Sequence, residues 1–219
     1  MPARVVFDLD GTLVDSIPTM ADAGNRMLAE LGRPPVSIEE CARFVGNGVA
    51  RLVERLLLCR GGLPGEGLDP AVARFRAIYG ADPVTGTHAY PGVGEALARL
   101  ADAGHWLAVC TQKPNAPALA ILRGLRMMPP VTGFTGGDSI DALKPDPRMF
   151  RHAADQLPPG VELLVGDSLT DAETARAAGV PFLLHTRGYR TQSVAELPHD
   201  AAFDDFAALP ELVERMLAA

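Results

Sequence analysis

Short apolar runs alternate along the chain with stretches whose apolar residues recur every three to four positions. Arg4 to Phe7, Trp106 to Cys110, Glu162 to Val165 and Phe182 to Leu184 have the length of buried strands, and Val131 to Phe134 is a weaker fifth. Between them, Val93, Leu97 and Leu100 precede Gly104, and Leu119 and Leu122 precede Gly124, the spacing of amphipathic helices closed by a glycine. Strands that alternate with helices predict an α/β fold whose parallel sheet is covered on both faces, so that Trp106, at the head of its run, is read as core packing. In such sheets ligands gather beyond the carboxyl ends of the strands, so chemistry is expected in the residues that follow each run.

The alternation breaks between about Ser16 and Thr87, where helix follows helix. Ile17, Met20, Met27, Leu28 and Leu31 share a face before Gly32, and Ser37-Ile38-Glu39-Glu40 has the form of a capping box. Val49, Leu52, Val53, Leu56 and Leu57 form a third apolar stripe; Asp69-Pro70 opens a fourth helix, with Val72, Phe75 and Ile78 facing inward and Gly80 at its end. The Gly/Pro-rich stretch from Gly61 to Gly67 reads as a loop inside this block. The expected division is a core of residues 1–15 and 88–219 with a helical domain of residues 16–87 inserted after the first strand.

Composition narrows the partners. With 219 residues, 47% of them hydrophobic, the chain can bury a sizeable core. Its formal net charge of −7 argues against nucleic acid or an anionic membrane, and leaves small molecules, whose anionic groups would need local positive charge. Cys41, Cys59 and Cys110 have no zinc spacing, and an odd count suits a reducing compartment. Met1 leads straight into Val5-Val6-Phe7 without a basic or signal-length apolar stretch, and no run approaches the ~20 residues of a membrane span, so a cytoplasmic location is expected. The 20 basic residues include only two lysines, Lys113 and Lys144, which singles out both as places where a compact ammonium group is wanted.

The first run ends in Asp8-Leu9-Asp10-Gly11-Thr12-Leu13-Val14-Asp15-Ser16. Asp-Gly alone marks a turn. Here two carboxylates two residues apart follow a buried strand, and crowding like charges there is costly unless a cation or a proton resolves it. The arrangement points to a metal site with one carboxylate free to react. Three further strings stand in order downstream: Val109-Cys110-Thr111, Leu143-Lys144-Pro145-Asp146-Pro147, and Gly166-Asp167-Ser168-Leu169-Thr170-Asp171.

These four strings resemble the motifs of the haloacid dehalogenase-type phosphohydrolases: Asp-x-Asp-Gly-Thr, a strand ending in Ser or Thr, a lysine near a helix start, and Gly-Asp-Ser-x-x-Asp. The resemblance spans essentially the whole chain and implies a Rossmann-like core with a helical cap. It implies that Asp8 is the nucleophile that forms an aspartyl-phosphate, and that Asp10 protonates the leaving oxygen and then activates water. The chemistry is consistent with this. A phosphate monoester is doubly charged, so a carboxylate approaches it only where cations neutralise both. Mg²⁺ held by Asp8, Asp167 and the backbone carbonyl of Asp10 would serve, with Lys144 as a second positive charge. The Thr111 hydroxyl and nearby N–H groups, those of Gly11 and Thr12, are candidate phosphoryl donors. Asp171 would steer Lys144 or the surroundings of the metal, supported by Ser168, and it fits equally the role of an N-cap for the helix that follows. Gln112 stands where relatives carry Asn in Thr-Asn-Lys-Pro, and Lys113 reads either as a site residue or as a surface charge.

In the helical block, Gly46-Asn47-Gly48 precedes a helix bearing Arg51 and Arg55; Asn47 or Arg51 would meet a second anionic group of the substrate, or the loop is simply an inter-helix turn. This loop, with Thr85-Gly86-Thr87, Tyr90-Pro91-Gly92-Val93 and Gly188-Tyr189, is most similar to phosphoglycolate phosphatases. A mutase of the same fold, a phosphatase for pyrophosphate or sugar phosphates, and a binding module without turnover are the alternatives. The five histidines, His88, His105, His152, His185 and His199, show no ligand spacing and read as surface or core residues, and Cys110 as a small hydrophobe on a buried strand.

Overall fold

The computed structural model describes residues 1–45 and 48–218. The chain enters as β1 (Ala3–Phe7), turns through the short β2 (Val14–Asp15), and runs into α1 (Ile17–Glu30), α2 (Ile38–Ala42), α3 (Gly48–Leu58) and α4 (Asp69–Ala81). It returns through β3 (His88–Ala89) and α5 (Val93–Asp102), and then alternates: β4 (Trp106–Cys110), α6 (Asn115–Gly124), β5 (Val131–Thr135), α7 (Pro147–Ala154), β6 (Val161–Gly166), α8 (Leu169–Ala178), β7 (Phe182–His185), β8 (Ala201–Phe203) and α9 (Leu209–Ala218). Two compact units result, Met1–Asp15 with Ala89–Ala219, and Ser16–His88. The return crossing falls one residue later than the sequence pattern places it.

In the first unit, six strands form a sheet in the order β5-β4-β1-β6-β7-β8, parallel at each pairing. The chain builds outward from β1 to β5 on one side, then crosses back to build β6 to β8 on the other. The order therefore reverses at β1, the place where a doubly wound sheet opens a crevice at its carboxyl edge. Phe7 pairs with Val109 on one side and Val165 on the other, so Asp8, Thr111 and Asp167 leave the sheet at nearly the same level. Val5 and Val6 point to opposite faces and both are fully buried. Val6, Ala108, Cys110 and Leu164 pack under Met149 and Phe150 of α7 and Ala172 and Ala175 of α8. Residues such as Phe7, buried completely, each contribute about 1.5–3 kcal/mol by leaving water.

The second unit is helical. Its core is built from Met20, Met27 and Leu28 of α1, Leu52, Val53, Leu56 and Leu57 of α3, and Phe75 and Ile78 of α4. Gly24 lets α1 approach α3 closely, for a Cβ there would lie 2.8 Å from a methyl of Leu56. Ser37 and Glu40 close the expected capping box at the start of α2.

Four details depart from the sequence pattern. Trp106 is 39% exposed rather than core; it opens β4 at the amino-terminal rim of the sheet, and burial begins only at Leu107. The buried face of α6 is Ala118, Ile121 and Leu122, with Leu119 half-buried. Gly124 and Gly80 fall inside the last turns of α6 and α4 rather than after them. Strand β8 was outside the expected set, since Ala-Ala-Phe is too short to display a period.

Candidate active site

The four strings converge at the carboxyl edge of β1, β4 and β6. Asp8 follows β1 and is tied to the next strand, its N–H donating to the Val165 carbonyl at 2.9 Å. Lys144, from the loop before α7, is buried and bridges two carboxylates: its Nζ lies 2.6 Å from Asp171 Oδ1 and 2.9 Å from Asp8 Oδ1. The other oxygen of Asp171 accepts from the Ser168 hydroxyl at 2.6 Å and from the Ser168 N–H at 3.1 Å, while Ser168 Oγ accepts from the Asp171 N–H. Ser168 is thus the N-cap of α8, and Asp171 is its capping-box partner as well as the anchor of Lys144. Asp171 holds Lys144, and the reading of Asp171 as the N-cap is corrected: Ser168 takes the cap and Asp171 the third position of the helix, because the capping box sets the two three residues apart.

Asp167 accepts the Thr12 hydroxyl at 3.0 Å on one oxygen and the Tyr189 N–H at 2.7 Å on the other. Lys113, which the sequence left between site and surface, is buried and places Nζ 2.7 and 2.9 Å from the two oxygens of Asp10. Thr111 is buried at the end of β4 with its hydroxyl accepting the Lys113 N–H at 3.2 Å. Gln112 is half-buried, and its backbone lies so close to Gly137 that a Cβ there would meet the Gln112 carbonyl at 2.2 Å.

The electrostatics follow from burial. Removal from water pushes the Asp8 carboxyl up to about 7 against the pull of Lys144, and raises that of Asp167 well above the ordinary range, with Asp171 and Asp8 adding to the rise. Burial disfavours the Lys144 ammonium, but Asp171 and Asp8 outweigh it and hold the proton on. Negative charge therefore exceeds what one lysine neutralises. Among the described residues, Asp8, Asp167 and Asp171 form a group whose ligand oxygens all lie within 4.8 Å of one another. One oxygen of Asp171 is taken by the Lys144 ammonium and the other accepts three donors, whereas each oxygen of Asp167 accepts a single hydrogen bond and Asp8 meets Lys144 through one oxygen, so Asp8 and Asp167 have the capacity left for a hard cation. An all-oxygen donor set with surplus negative charge fits a divalent ion of the Mg²⁺ type.

One expectation is corrected here. The N–H groups of Gly11 and Thr12 are not open to a phosphoryl group: they donate to the carbonyls of Val14 at 2.9 Å and Leu9 at 3.3 Å, because a tight turn after β1 satisfies its own backbone. Both residues instead support Asp167, Thr12 by its hydroxyl and Gly11 by having no side chain. Arg51 lies in the helical unit, exposed and paired with Glu54 at 2.7 Å. Asn47 lies outside the described residues.

The family model for haloacid dehalogenase-like hydrolases matches residues 3–179. The chain belongs to the haloacid dehalogenase-like hydrolases. Curated relatives include phosphoglycolate phosphatases from Cereibacter sphaeroides, 45% identical over 98% of this chain and 99% of theirs, and from Rhodospirillum rubrum, 45% identical over 95% of this chain and 90% of theirs. Among solved structures, a protein described as a predicted phosphoglycolate phosphatase from Haemophilus somnus superposes with a TM-score of 0.87 at 31% identity, covering 95% of this chain and 96% of that one. CbbY from Rhodobacter sphaeroides, solved in complex with phosphate, superposes with a TM-score of 0.73 at 26% identity, covering 95% and 96%.

Within this hydrolase site, some contributors carry no signal in the sequence pattern. His185, read as a bland histidine, is buried with Nδ1 3.0 Å from the Gly11 carbonyl, and packs among Tyr90, Phe203 and Phe206. A carbonyl only accepts, so Nδ1 carries the proton. Gly136 and Gly137, after β5, press against Lys113 and Gln112, and the Gly137 N–H donates to the Lys113 carbonyl at 2.8 Å. Burial pushes the Cys110 thiol up to about 12, which leaves it a core residue beside the site.

Proposed function

We propose that this chain is a Mg²⁺-dependent phosphatase that hydrolyses 2-phosphoglycolate through an aspartyl-phosphate on Asp8. The observation that carries the reading is the Asp8 carboxylate itself, at the end of the central strand, with Lys144 2.9 Å from one oxygen and the carboxylates of Asp167 and Asp171 beside it. The substrate is supported by the relatives named phosphoglycolate phosphatase at 45% identity.

Asp8 and Asp167, with the Asp10 backbone carbonyl, would hold Mg²⁺, which when bound neutralises phosphoryl oxygens. The chain supplies the rest. An Asp8 oxygen attacks phosphorus and the ester P–O bond breaks, while Asp10 gives its proton to the departing glycolate oxygen. Asp10, now a carboxylate held by Lys113, takes a proton from water that attacks the acyl phosphate; the bond to Asp8 breaks and phosphate leaves. Lys144 offsets the charge on the phosphoryl oxygens, and Thr111 offers a hydroxyl to one of them. Asn47 and Arg51 are the residues proposed to select for the substrate carboxylate. An acidic chain with this site suits a small phosphate ester rather than nucleic acid or a membrane surface, and no helix among the described residues is long and apolar enough to span a bilayer.

Release of inorganic phosphate from 2-phosphoglycolate, pyrophosphate, sugar phosphates and an aryl phosphate, with Mg²⁺ and with chelator, tests the reading. Metal-dependent release with the highest kcat/KM on 2-phosphoglycolate is expected. Preference for pyrophosphate or a sugar phosphate overturns the substrate, an isomerised ester in place of free phosphate overturns the hydrolase, and full activity in chelator overturns the metal.

A further inference from the structure

Asp167 stands in a slot between two glycines from different parts of the chain. On one side is Gly11, in the turn after β1, with φ +85°; a Cβ there would lie 2.5 Å from Asp167 Oδ2. On the other is Gly188, three residues past β7, where a Cβ would lie 2.3 Å from both Asp167 Cβ and Oδ2. Neither position admits a side chain while the carboxylate keeps its place. Gly11 belongs to the motif after β1. Gly188 belongs to none of the four motif strings, and neither does Tyr189, whose N–H donates to Asp167 Oδ2 at 2.7 Å.

The Tyr189 backbone is in turn anchored by its own side chain. The phenol donates to Asp15 Oδ1 at 2.8 Å, at the end of β2. The segment is pinned at its other end by His185, which holds the Gly11 carbonyl. A five-residue connection thus grips both the turn after Asp10 and the carboxylate of Asp167. Partners that orient a ligand contribute roughly 10- to 100-fold to metal affinity, because a freely turning carboxylate must be ordered when the ion binds.

We propose that Gly188 and Tyr189 are positioning residues that aim the Asp167 carboxylate at the cation site, Gly188 by leaving it room and Tyr189 by holding it through an N–H whose place is set by the phenol. This rests on the reading of Asp167 as a metal ligand, and the metal alone is therefore the probe. Mn²⁺ binding to the full chain is measured by electron paramagnetic resonance and titration calorimetry for the wild type, Tyr189→Phe and Gly188→Ala, with circular dichroism and thermal melting to establish that each is folded. Both variants are expected to bind Mn²⁺ about tenfold or more weakly. In Tyr189→Phe, excess Mg²⁺ is expected to restore kcat, since the loss lies in affinity rather than in the reacting groups.

A purely structural role for the tyrosine would lower the melting temperature and leave Mn²⁺ affinity unmoved. Wild-type affinity in either folded variant overturns the proposal; should Gly188→Ala not fold, Tyr189→Phe decides alone. Failure of the wild type to bind Mn²⁺ overturns the cation site and this inference with it. Tight Mn²⁺ binding by the wild type without hydrolysis of 2-phosphoglycolate overturns the substrate reading only, and the variant comparison then still decides the proposal.

Discussion

Lys113 Nζ lies 2.7 Å from one oxygen of Asp10 and 2.9 Å from the other, so a buried ammonium holds the carboxylate assigned to acid–base work in one orientation. Lys113→Met keeps the length of the side chain and removes that hold. It is expected to lower kcat by about 10²-fold, the range associated with a misplaced general acid. Steady-state kinetics on an aryl phosphate and on 2-phosphoglycolate check this. A kcat equal to wild type on both would return Lys113 to a supporting role in packing.

Asp8→Asn is expected to abolish phosphate release and to leave the protein as stable as before, or more so. The amide keeps the volume but cannot form the acyl phosphate, and its neutrality relieves a carboxylate that burial already pushes up to about 7. Lys144 retains Asp171 at 2.6 Å in the variant. Phosphate release and melting temperature measured together test both halves; a folded variant with near-native kcat would falsify the nucleophile assignment.

Lys144→Ala leaves Asp8 and Asp171 buried without their shared counter-ion. Breaking such an arrangement costs roughly 3–5 kcal/mol, so a large fall in the urea midpoint is expected along with loss of activity. Lys144→Arg keeps the charge but replaces a compact ammonium with a longer planar fork in a site where Nζ meets both carboxylates within 2.9 Å. It is expected to regain part of the stability and little of the turnover. Equal midpoints for all three proteins would remove the bridging role.

Burial pushes the His185 imidazole below its ordinary value, with Arg187 and Arg190 adding to the fall while the Gly11 carbonyl and Asp204 oppose it. The folded state then binds fewer protons at this group than the unfolded chain does. Its contribution to stability is fully present above the ordinary histidine value near 6.5, and is lost as pH falls through and below it. Urea unfolding at a series of pH values is expected to show a fall below pH ~6.5 that is reduced in His185→Asn, whose amide retains a donor for the Gly11 carbonyl. A fall of the same size in both proteins would assign it to other groups.

Cys41 and Cys110 are buried and Cys59 is exposed, and burial pushes both of the first two thiols up to about 12. A disulfide reagent is expected to modify one thiol per native chain and three after unfolding. More than one fast-reacting thiol in the native protein would contradict the burial of β4 or of α2.

The sequence by itself determined five of the six strands of the sheet, the helical insertion, and the residues Asp8, Asp10, Lys144 and Asp167 as a candidate set. These were legible because periodicity is local and because each of these side chains sits beside a turn or strand end whose residue types are restricted. The misplacements were local too: Trp106 was read inward because a run's apolar character does not say where the covering helices stop. Only the tertiary structure decided what each charge meets. Lys113 reaches Asp10 because β4 lies against β1, and Lys144 joins Asp8 to Asp171 because β6 lies on its other side. Gly188 and Tyr189 brace Asp167, and His185 holds Gly11, because β7 follows β6 in the sheet. Contacts of this kind are set by strand order and register across 174 residues of chain, as from Gly11 to His185. Gly188-Tyr189 stood out in the sequence only as a string shared with similar proteins, and that its N–H meets Asp167 follows from strand order alone.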